Sequence, residues 1–202
     1  MVTNKARNDM PKLKYGVGYN SKGKHRATIN NKKTIAYNIW GSMFKRCYCP
    51  KFQKKYPTYI GCKVSSKWHD FQDFADWYYS QPNKDIGYHL DKDLLFPGNK
   101  VYSPDTCCLV PIEINNLLLD RPSCRGDHPR GVSFNKVVMR FDAKLKISGK
   151  TVNLGFFDCP AEAHQAYKKA KERYVKNKAL EWANRIEWNV FLTLMNWQLK
   201  AD

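Results

Sequence analysis

Residues 87–95, GYHLDKDLL, place a histidine, two aspartates and a lysine within five positions. Asp91 and Asp93 supply carboxylate oxygens, which are the ligands that hard divalent cations prefer. His89 supplies an imidazole, whose ordinary pKa of about 6.5 lets it accept a proton near neutral pH. Because the segment alternates as a strand does, His89 and Asp91 lie on the same face. These residue types predict a site for metal-assisted acid–base chemistry.

The acidic pair stands out because the chain is strongly basic, with a net charge of +17 over 202 residues. Residues 1–60 contain 14 Lys and Arg against one acid, residues 61–127 contain 7 against 10, and residues 128–202 contain 14 against 7. A small domain stays soluble with a net charge of about 2–8, so +17 predicts a polyanionic partner. We expect double-stranded DNA, held by the basic flanks while the acidic centre holds a metal ion.

Membrane and secreted classes are disfavoured. No stretch approaches the roughly 18 apolar residues of a membrane span, and the N-terminus lacks the apolar run of a secretory signal. No basic amphipathic helix marks the N-terminal segment as membrane-binding. Seven cysteines fit a reducing cytoplasm better than a disulfide framework. The C-x-C spacing of Cys47 and Cys49 is not that of a zinc knuckle, while Cys107 and Cys108 are expected in the core.

The elements before the acidic centre follow from apolar periodicity. Residues 15–29 alternate around a Ser-Lys-Gly-Lys turn and predict a short hairpin. Apolar residues at helical spacing predict helices over residues 34–46 and 66–79. The aromatic residues of the second helix are expected to be core rather than a base-stacking platform. Between the helices, prolines and a glycine predict an irregular loop at 47–63.

The acidic centre itself reads as a ββα unit. Residues 87–95 predict a strand, residues 96–106 a turn-rich loop, and residues 107–110 a second strand. Pro111 can open the helix that follows, because the first turn of a helix needs no amide hydrogen from that position. Two prolines and a glycine in residues 121–129 then predict a domain boundary.

Three stretches of the sequence resemble the phage-type HNH, or His-Me finger, endonucleases: WGSMFKRCY, PTYIGCKVSSKWHDFQDF and LDKDLL…GNKVYSPDTC…VPIEINN. The resemblance covers residues 37–120 and implies a ββα-metal core. It implies that Asp91 is the metal ligand on the strand and Asn115 the metal ligand on the helix. The implied cofactor is Mg²⁺ or Mn²⁺, which stabilises the leaving 3′ oxygen in such sites.

The chain departs from that family at the general base. Most of these nucleases carry a histidine directly after the metal carboxylate, where this chain has Lys92. A lysine with an ordinary pKa of about 10.4 is a poor base at neutral pH. Three alternatives remain open: His89, ranked first, Lys92 with a depressed pKa, or a metal-bound hydroxide that needs no protein base.

The C-terminal residues predict three short strands and a helix. RGVSFN, VVMRFDAKLKI and TVNLGFF alternate around tight turns, and Pro160 begins a helix with alanines on its inner face. A last apolar helix is expected over residues 180–199, packing on the core or forming a dimer contact.

RGVSF, FDAKLKISGK and LGFFDCPAEAHQAY resemble the APETALA2/ethylene-response-factor DNA-binding family over residues 128–175, except that Phe141 replaces the usual tryptophan. The resemblance implies a three-stranded sheet in the major groove, braced by a helix. Arginine can pair with guanine and lysine with phosphate. The residues expected to face DNA are Arg130, Ser133, Asn135, Arg140, Lys144 and Lys146.

The sequence thus predicts an α+β protein: a basic segment at 1–36, an HNH-like ββα-metal core at 37–126, and a three-stranded antiparallel sheet packed on a helix at 127–202. The expected function is a metal-dependent DNA endonuclease of the phage homing type that cuts or nicks duplex DNA. The alternative is a catalytically inactive HNH-derived DNA-binding protein. A cytoplasmic location is expected, in the host cytoplasm if the chain is phage-encoded, and a homodimer is a candidate assembly.

Overall fold

The computed structural model describes residues 13–82, 84, 87–119 and 127–199. The chain divides into two units, one ending at Ile112 and the other beginning at Glu113. Both contain helices and small sheets, so the predicted α+β class is confirmed. The segment predicted to link two domains lies largely outside the described residues.

Three helices organise the first unit: α1 (Ile35–Tyr48), α2 (Pro50–Lys55) and α3 (Phe71–Ser80). Thr34 begins α1 because its Oγ1 accepts a hydrogen bond from the Tyr37 amide at 3.3 Å. Asp70 does the same for α3, accepting from the Gln72 amide at 3.0 Å. The first predicted helix is confirmed, and the second begins five residues later than predicted, after a 3₁₀ turn at Ser66–Trp68. The helix α2 occupies part of the segment predicted to be irregular.

The core of the first unit is aromatic. Trp40 and Phe44 of α1 are buried against Phe71 of α3, and the indole N–H of Trp40 donates to the Trp68 carbonyl at 2.9 Å. That bond satisfies a buried donor that would otherwise cost free energy. The predicted core aromatics of the second helix, including Phe74 and Tyr78, are all almost completely buried. Their interpretation as core residues is confirmed.

Six short strands complete the described part of the first unit. They are β1 (Thr28–Ile29), β2 (Lys32–Lys33), β3 (Lys63–Val64), β4 (Tyr88–Asp91), β5 (Val101–Tyr102) and β6 (Cys108–Pro111). The strands β1 and β2 form a hairpin, β3 pairs in parallel with β5, and β4 pairs antiparallel with β6. The helix α4 (Ile112–Leu118) follows β6 directly and crosses the division between the two units. The predicted strand–loop–strand–helix order is therefore present.

The predicted hairpin over residues 15–29 is wrong. The segment instead folds against the start of α3, where the side chain of Gln72 bonds to Asn20, Ser21 and His25. The Ser21 amide donates to Asp70 at 3.1 Å. These side chains satisfy the backbone groups that a strand partner would have taken. The hairpin forms instead around residues 30–31, two asparagines with φ of +48° and +60°.

The second unit is a three-stranded antiparallel sheet packed on a long helix. The sheet runs β7 (Val132–Asn135), β8 (Arg140–Ile147) and β9 (Lys150–Phe157) in that order, and the helix is α5 (Pro160–Trp182). Ala143 and Leu145 of β8 are buried against Ala163 and Tyr167 of α5. The small alanines allow the helix to approach the sheet closely. The predicted sheet-and-helix architecture is confirmed.

The predicted single helix over residues 180–199 is wrong. The chain ends α5 at Trp182, forms a short 3₁₀ turn, and begins α6 (Trp188–Met195) after an extended residue, Ile186. The Ile186 side chain is buried, as are Val190 and Leu194 of α6. The interruption lets α6 pack against α5, so more apolar surface is buried than by a straight helix.

Candidate functional site

The strand β4 positions the predicted catalytic residues. His89 pairs with Val110 of β6 and Asp91 pairs with Cys108, while Leu90 between them faces the opposite side and lies in the aromatic core. Strand alternation therefore puts His89 and Asp91 on the same face, as predicted. Asp91 is the last residue of β4, so its carboxyl stands where the strand gives way to a loop.

The loop after β4 is closed by the Asp91 carboxyl. Its Oδ1 atom accepts hydrogen bonds from the backbone amides of Asp93 at 2.9 Å and Leu94 at 2.7 Å. Burial, followed by the neighbouring Asp93 carboxyl, raises the pKa of Asp91 above its ordinary value. A carboxyl in that position gains from any nearby cation, because the cation stabilises its charged form.

Arg46 supplies such a cation from the last turn of α1. Its guanidinium lies 3.5 Å from the hydroxyl oxygen of Tyr102 and interacts electrostatically with both Asp91 and His89. Burial and then the charge of Arg46 lower the pKa of His89 below its ordinary value. The imidazole is therefore kept neutral at neutral pH, with a lone pair that can accept a proton. Sequence reasoning assigned no role to Arg46, which is 45 positions from Asp91, although it lies within WGSMFKRCY, one of the stretches that carry the family resemblance.

Lys92 has a different environment from His89. Its side chain is buried, and the ammonium donates to Asp93 Oδ2 at 2.9 Å and to the Asn99 carbonyl at 2.8 Å. The side-chain amide of Asn99 in turn donates to the Lys92 carbonyl at 2.6 Å. An ammonium engaged in this way has no lone pair for a proton, so these contacts favour a role for Lys92 in holding the loop.

The predicted metal ligands lie at the end of β4 and on α4. The carboxyls of Asp91 and, in the loop after β4, Asp93 are neighbours, and carboxylate oxygens suit Mg²⁺ or Mn²⁺, so the donor chemistry at the end of β4 fits a hard divalent ion. Within the described part of the chain no group of three His, Cys, Asp or Glu side chains converges as a metal site. Asn115 lies on α4, half-buried, in the unit that begins at Glu113.

The sheet of the second unit presents a polar face away from α5. The side chains of β8 alternate, with Ala143 and Leu145 buried toward the helix and the residues between them on the other side. Cross-strand pairing sets Ser133 opposite Asp142 and Asn135 opposite Arg140. Five of the six residues predicted to face DNA share this outer face, which we call the polar sheet face: Ser133, Asn135, Arg140, Lys144 and Lys146.

A buried aspartate organises the polar sheet face. Asp142 is 1% exposed, accepts a hydrogen bond from the Ser133 hydroxyl and pairs with the Lys144 ammonium at 2.5 Å. Burial opposes its ionisation, but the hydrogen bonds from Lys144 and Ser133, with a smaller one from Asn135, outweigh burial and lower the pKa of Asp142. Lys144 is therefore held by an anion from its own sheet, whereas Lys146 has no ion-pair partner among the described residues.

Arg130 lies before the start of β7 and is not part of the polar sheet face. Its Nε atom is buried, its charge acts on Lys171 of α5, and its carbonyl oxygen lies 3.0 Å from the His164 ring. A Cβ on the next residue, Gly131, would collide with the Tyr167 ring, so this segment lies directly against the helix. Arg130 is two positions before Val132, which packs on the helix side of the sheet. Because residues two positions apart in a strand point to the same side, alternation in the sequence already indicated the helix side for Arg130.

Two apolar features accompany the polar sheet face. Phe156 pairs with Asp142 across the sheet and is 40% exposed, and the turn between β7 and β8 exposes Val137 by 91%. Neither was singled out from the sequence. An exposed ring beside basic groups can contact the methyl group of thymine, so Phe156 adds to what this face can recognise.

No helix in the described residues has the length and apolarity to cross a membrane. In comparisons with known proteins, no family model, no curated protein and no solved structure matches this chain.

Proposed function

We propose that the chain is a metal-dependent DNA endonuclease of the HNH type, which cuts or nicks duplex DNA and is targeted by its C-terminal sheet. The observation that carries the proposal is the grouping at the end of β4: a neutral His89, a half-buried Asp91 and the Arg46 guanidinium. A base, an acidic metal ligand and a fixed cation are the parts that phosphodiester hydrolysis requires. The net charge of +17 favours a nucleic acid as the substrate.

In this mechanism each residue has one task. His89 takes the proton from the attacking water, and its lowered pKa keeps it ready to do so. Asp91, with Asn115 as the expected second ligand, would hold Mg²⁺ or Mn²⁺. Such an ion, when bound, stabilises charge on the leaving 3′ oxygen. Arg46 stabilises the negative charge that builds on the phosphate, and Lys92 keeps the loop after β4 closed.

The direct test is incubation of the purified protein with supercoiled plasmid and Mg²⁺ or Mn²⁺. We expect nicked or linear DNA, and no product when EDTA is present. A linear product without a nicked intermediate would indicate two active sites acting together, as in a homodimer. If neither product forms with any divalent metal, while the protein still binds the plasmid, the nuclease assignment fails.

The second candidate is a DNA-binding protein without activity. Lys92, where the related nucleases have histidine, favours it, because Lys92 is tied to Asp93 and Asn99. The polar sheet face would then be the functional part of the chain. Binding without cleavage in the plasmid experiment selects this candidate.

Lys144 and Lys146 provide a matched pair for testing the polar sheet face. We expect Lys146→Ala to flatten the dependence of log affinity on log salt by about 0.9, the slope of one phosphate contact. Lys144→Ala should flatten it less, because the Lys144 charge is already paired with Asp142. Fluorescence anisotropy of a labelled duplex at several salt concentrations measures both slopes.

Arg140→Ala provides a further comparison. If Arg140 reads a guanine, this change costs about 1–3 kcal/mol on the preferred site and little on other sequences. In the free protein the Nε of Arg140 donates to the exposed Asp158 at 2.8 Å, a bond that a base must replace.

Unchanged salt slopes in both lysine variants, Lys144→Ala and Lys146→Ala, would exclude the polar sheet face as a phosphate-binding surface.

A further inference from the structure

A cavity of about 400 Å³ lies in the first unit beside the β1–β2 hairpin. The hairpin, the start of α1 and the end of α3 form its walls. The site proposed above uses none of its residues. Its volume lies in the range of about 300–1,000 Å³ that is typical of small-molecule sites.

The rim of this cavity is cationic. Lys32, Lys33 and Lys84 line it, and none of its described lining residues is acidic. The Lys84 ammonium is fixed at the end of α3 by bonds to the carbonyls of Tyr79 at 2.7 Å and Gln81 at 3.4 Å. Lys32 and Lys33 have no ion-pair partner among the described residues. Nearby cations without an acid repel one another, and an anion in the cavity would relieve that repulsion.

The charge of Lys33 reaches beyond the cavity. Burial, and then the charge of Lys33, lower the pKa of Lys14, whose ammonium lies 4.8 Å from the centre of the Tyr37 ring. Residues 13–60 contain 11 Lys and Arg and no Asp or Glu, and the nearby Asp76 carboxylate of α3 is already paired with Lys24 and His25. The cavity is therefore suited to an anionic ligand.

The walls of the cavity are apolar and aromatic. Ile29 is 53% exposed, Ile35 42% and Tyr79 40%, although all three are large side chains that usually avoid water. The Tyr79 ring is fixed by stacking on the His25 ring, with 5.0 Å between ring centres. A fixed aromatic ring beside aliphatic groups offers a flat surface against which a planar ligand can pack.

We propose that this cavity binds one unpaired nucleotide of a DNA strand. Lysines around the rim suit a phosphate, and Tyr79 with the two isoleucines suits a nucleobase. A base within a duplex is stacked on both sides and cannot enter a cavity, so the ligand is single-stranded or flipped out of the helix. The choice of a DNA strand rests on the proposed nuclease function, which would place such a strand near the first unit.

The proposal is tested by binding without metal, so that cleavage plays no part. The probes are a fluorescent 12-nucleotide single strand and its duplex, titrated with the full chain in EDTA. The variant K32A/K33A removes two charges at the cavity, and K51A/K54A removes two exposed charges on α2 as a matched control. We expect K32A/K33A to weaken single-strand binding about tenfold more than the control does, with similar duplex affinities for both.

Variants at Tyr79 distinguish the contribution of base stacking to single-strand binding from the contribution of the lysine charges. Because base–aromatic stacking contributes about 1–3 kcal/mol, Tyr79→Ala should weaken single-strand binding about 5- to 100-fold, and Tyr79→Phe should restore it. A strand that carries 5-iodouracil should crosslink to Tyr79 on irradiation, as located by mass spectrometry. Equal losses in the two double-lysine variants, or Tyr79→Ala binding like wild type, would overturn the proposal.

Competition by a free mononucleotide shows whether the cavity binds a nucleotide within a DNA strand or a free nucleotide. We expect deoxyadenosine monophosphate to compete only at concentrations at least a hundredfold above those of the strand. Equal affinity would overturn the assignment to a strand and make the cavity a site for free nucleotides. A protein that binds the single strand through this cavity but never cleaves plasmid would refute the nuclease function and leave the cavity assignment standing.

Discussion

Asp91→Asn is expected to abolish DNA cleavage and, in the absence of metal, to raise the melting temperature of the protein. Cleavage is lost because an amide lacks the charge that holds a divalent ion. Stability rises because the folded protein raises the pKa of Asp91, so the ionised carboxylate costs free energy above that pKa. Asparagine keeps an oxygen for the Asp93 and Leu94 amides, so the loop after β4 stays closed.

Plasmid nicking and thermal melting by circular dichroism measure the two effects on the same samples. Added Mg²⁺ should raise the melting temperature of the wild type through ligand linkage and leave that of Asp91→Asn unchanged. Asp105→Asn is the control, because Asp105 is exposed and, among the described residues, forms an ion pair only with the exposed Lys67. Wild-type cleavage by Asp91→Asn would remove Asp91 from the site, and a lower melting temperature in EDTA would contradict the raised pKa.

His89→Ala is expected to slow cleavage by roughly 10²–10⁴-fold, the usual contribution of a general base. The pH profile of kcat/KM carries a second signature. Because the folded protein lowers the pKa of His89, the imidazole stays neutral to a lower pH than usual, and activity falls only below about 6.5. Arg46→Gln should move that midpoint upward, because the Arg46 charge contributes to the lowered pKa.

Lys92→Met separates the two candidate bases. The change removes the bonds to Asp93 and Asn99, so we expect a lower melting temperature and a smaller loss of rate than in His89→Ala. If Lys92 were the base, the rate of the wild type would climb at alkaline pH and the order of the two losses would reverse. Equal, small losses would indicate that a metal-bound hydroxide attacks without a protein base.

Sequence patterns that depend on contacts within a single helix or strand predicted that helix or strand correctly. The apolar spacing after Thr34 predicted α1, and the alternation of β8 predicted which of its residues face the helix. The failure at residues 15–29 has a different cause, because the side chains of Asp70 and Gln72, about 50 positions away, take the hydrogen bonds of that segment. Tertiary contacts of that kind leave no periodicity in the sequence.

In the candidate site, too, local spacing predicted some placements, and others depend on contacts between distant parts of the chain. His89 and Asp91 could be placed on one face because they are two residues apart in a strand. Arg46 could not be assigned, since only the folded chain brings the last turn of α1 to the end of β4. The environment of Lys92 was equally hidden, because its ion pair and its bond to Asn99 depend on how the following loop closes.

Asp142 reduces the conformational entropy that the polar sheet face would lose on binding a ligand. Ser133, Asn135 and Lys144 are held by one buried carboxylate, so their rotamers are fixed when the sheet folds. A side chain immobilised only on binding loses about 0.5–1.5 kcal/mol of conformational entropy. On this face that loss is incurred during folding, before any ligand arrives. A ligand of this face would therefore meet a pattern of donors and acceptors that is already rigid in the free protein.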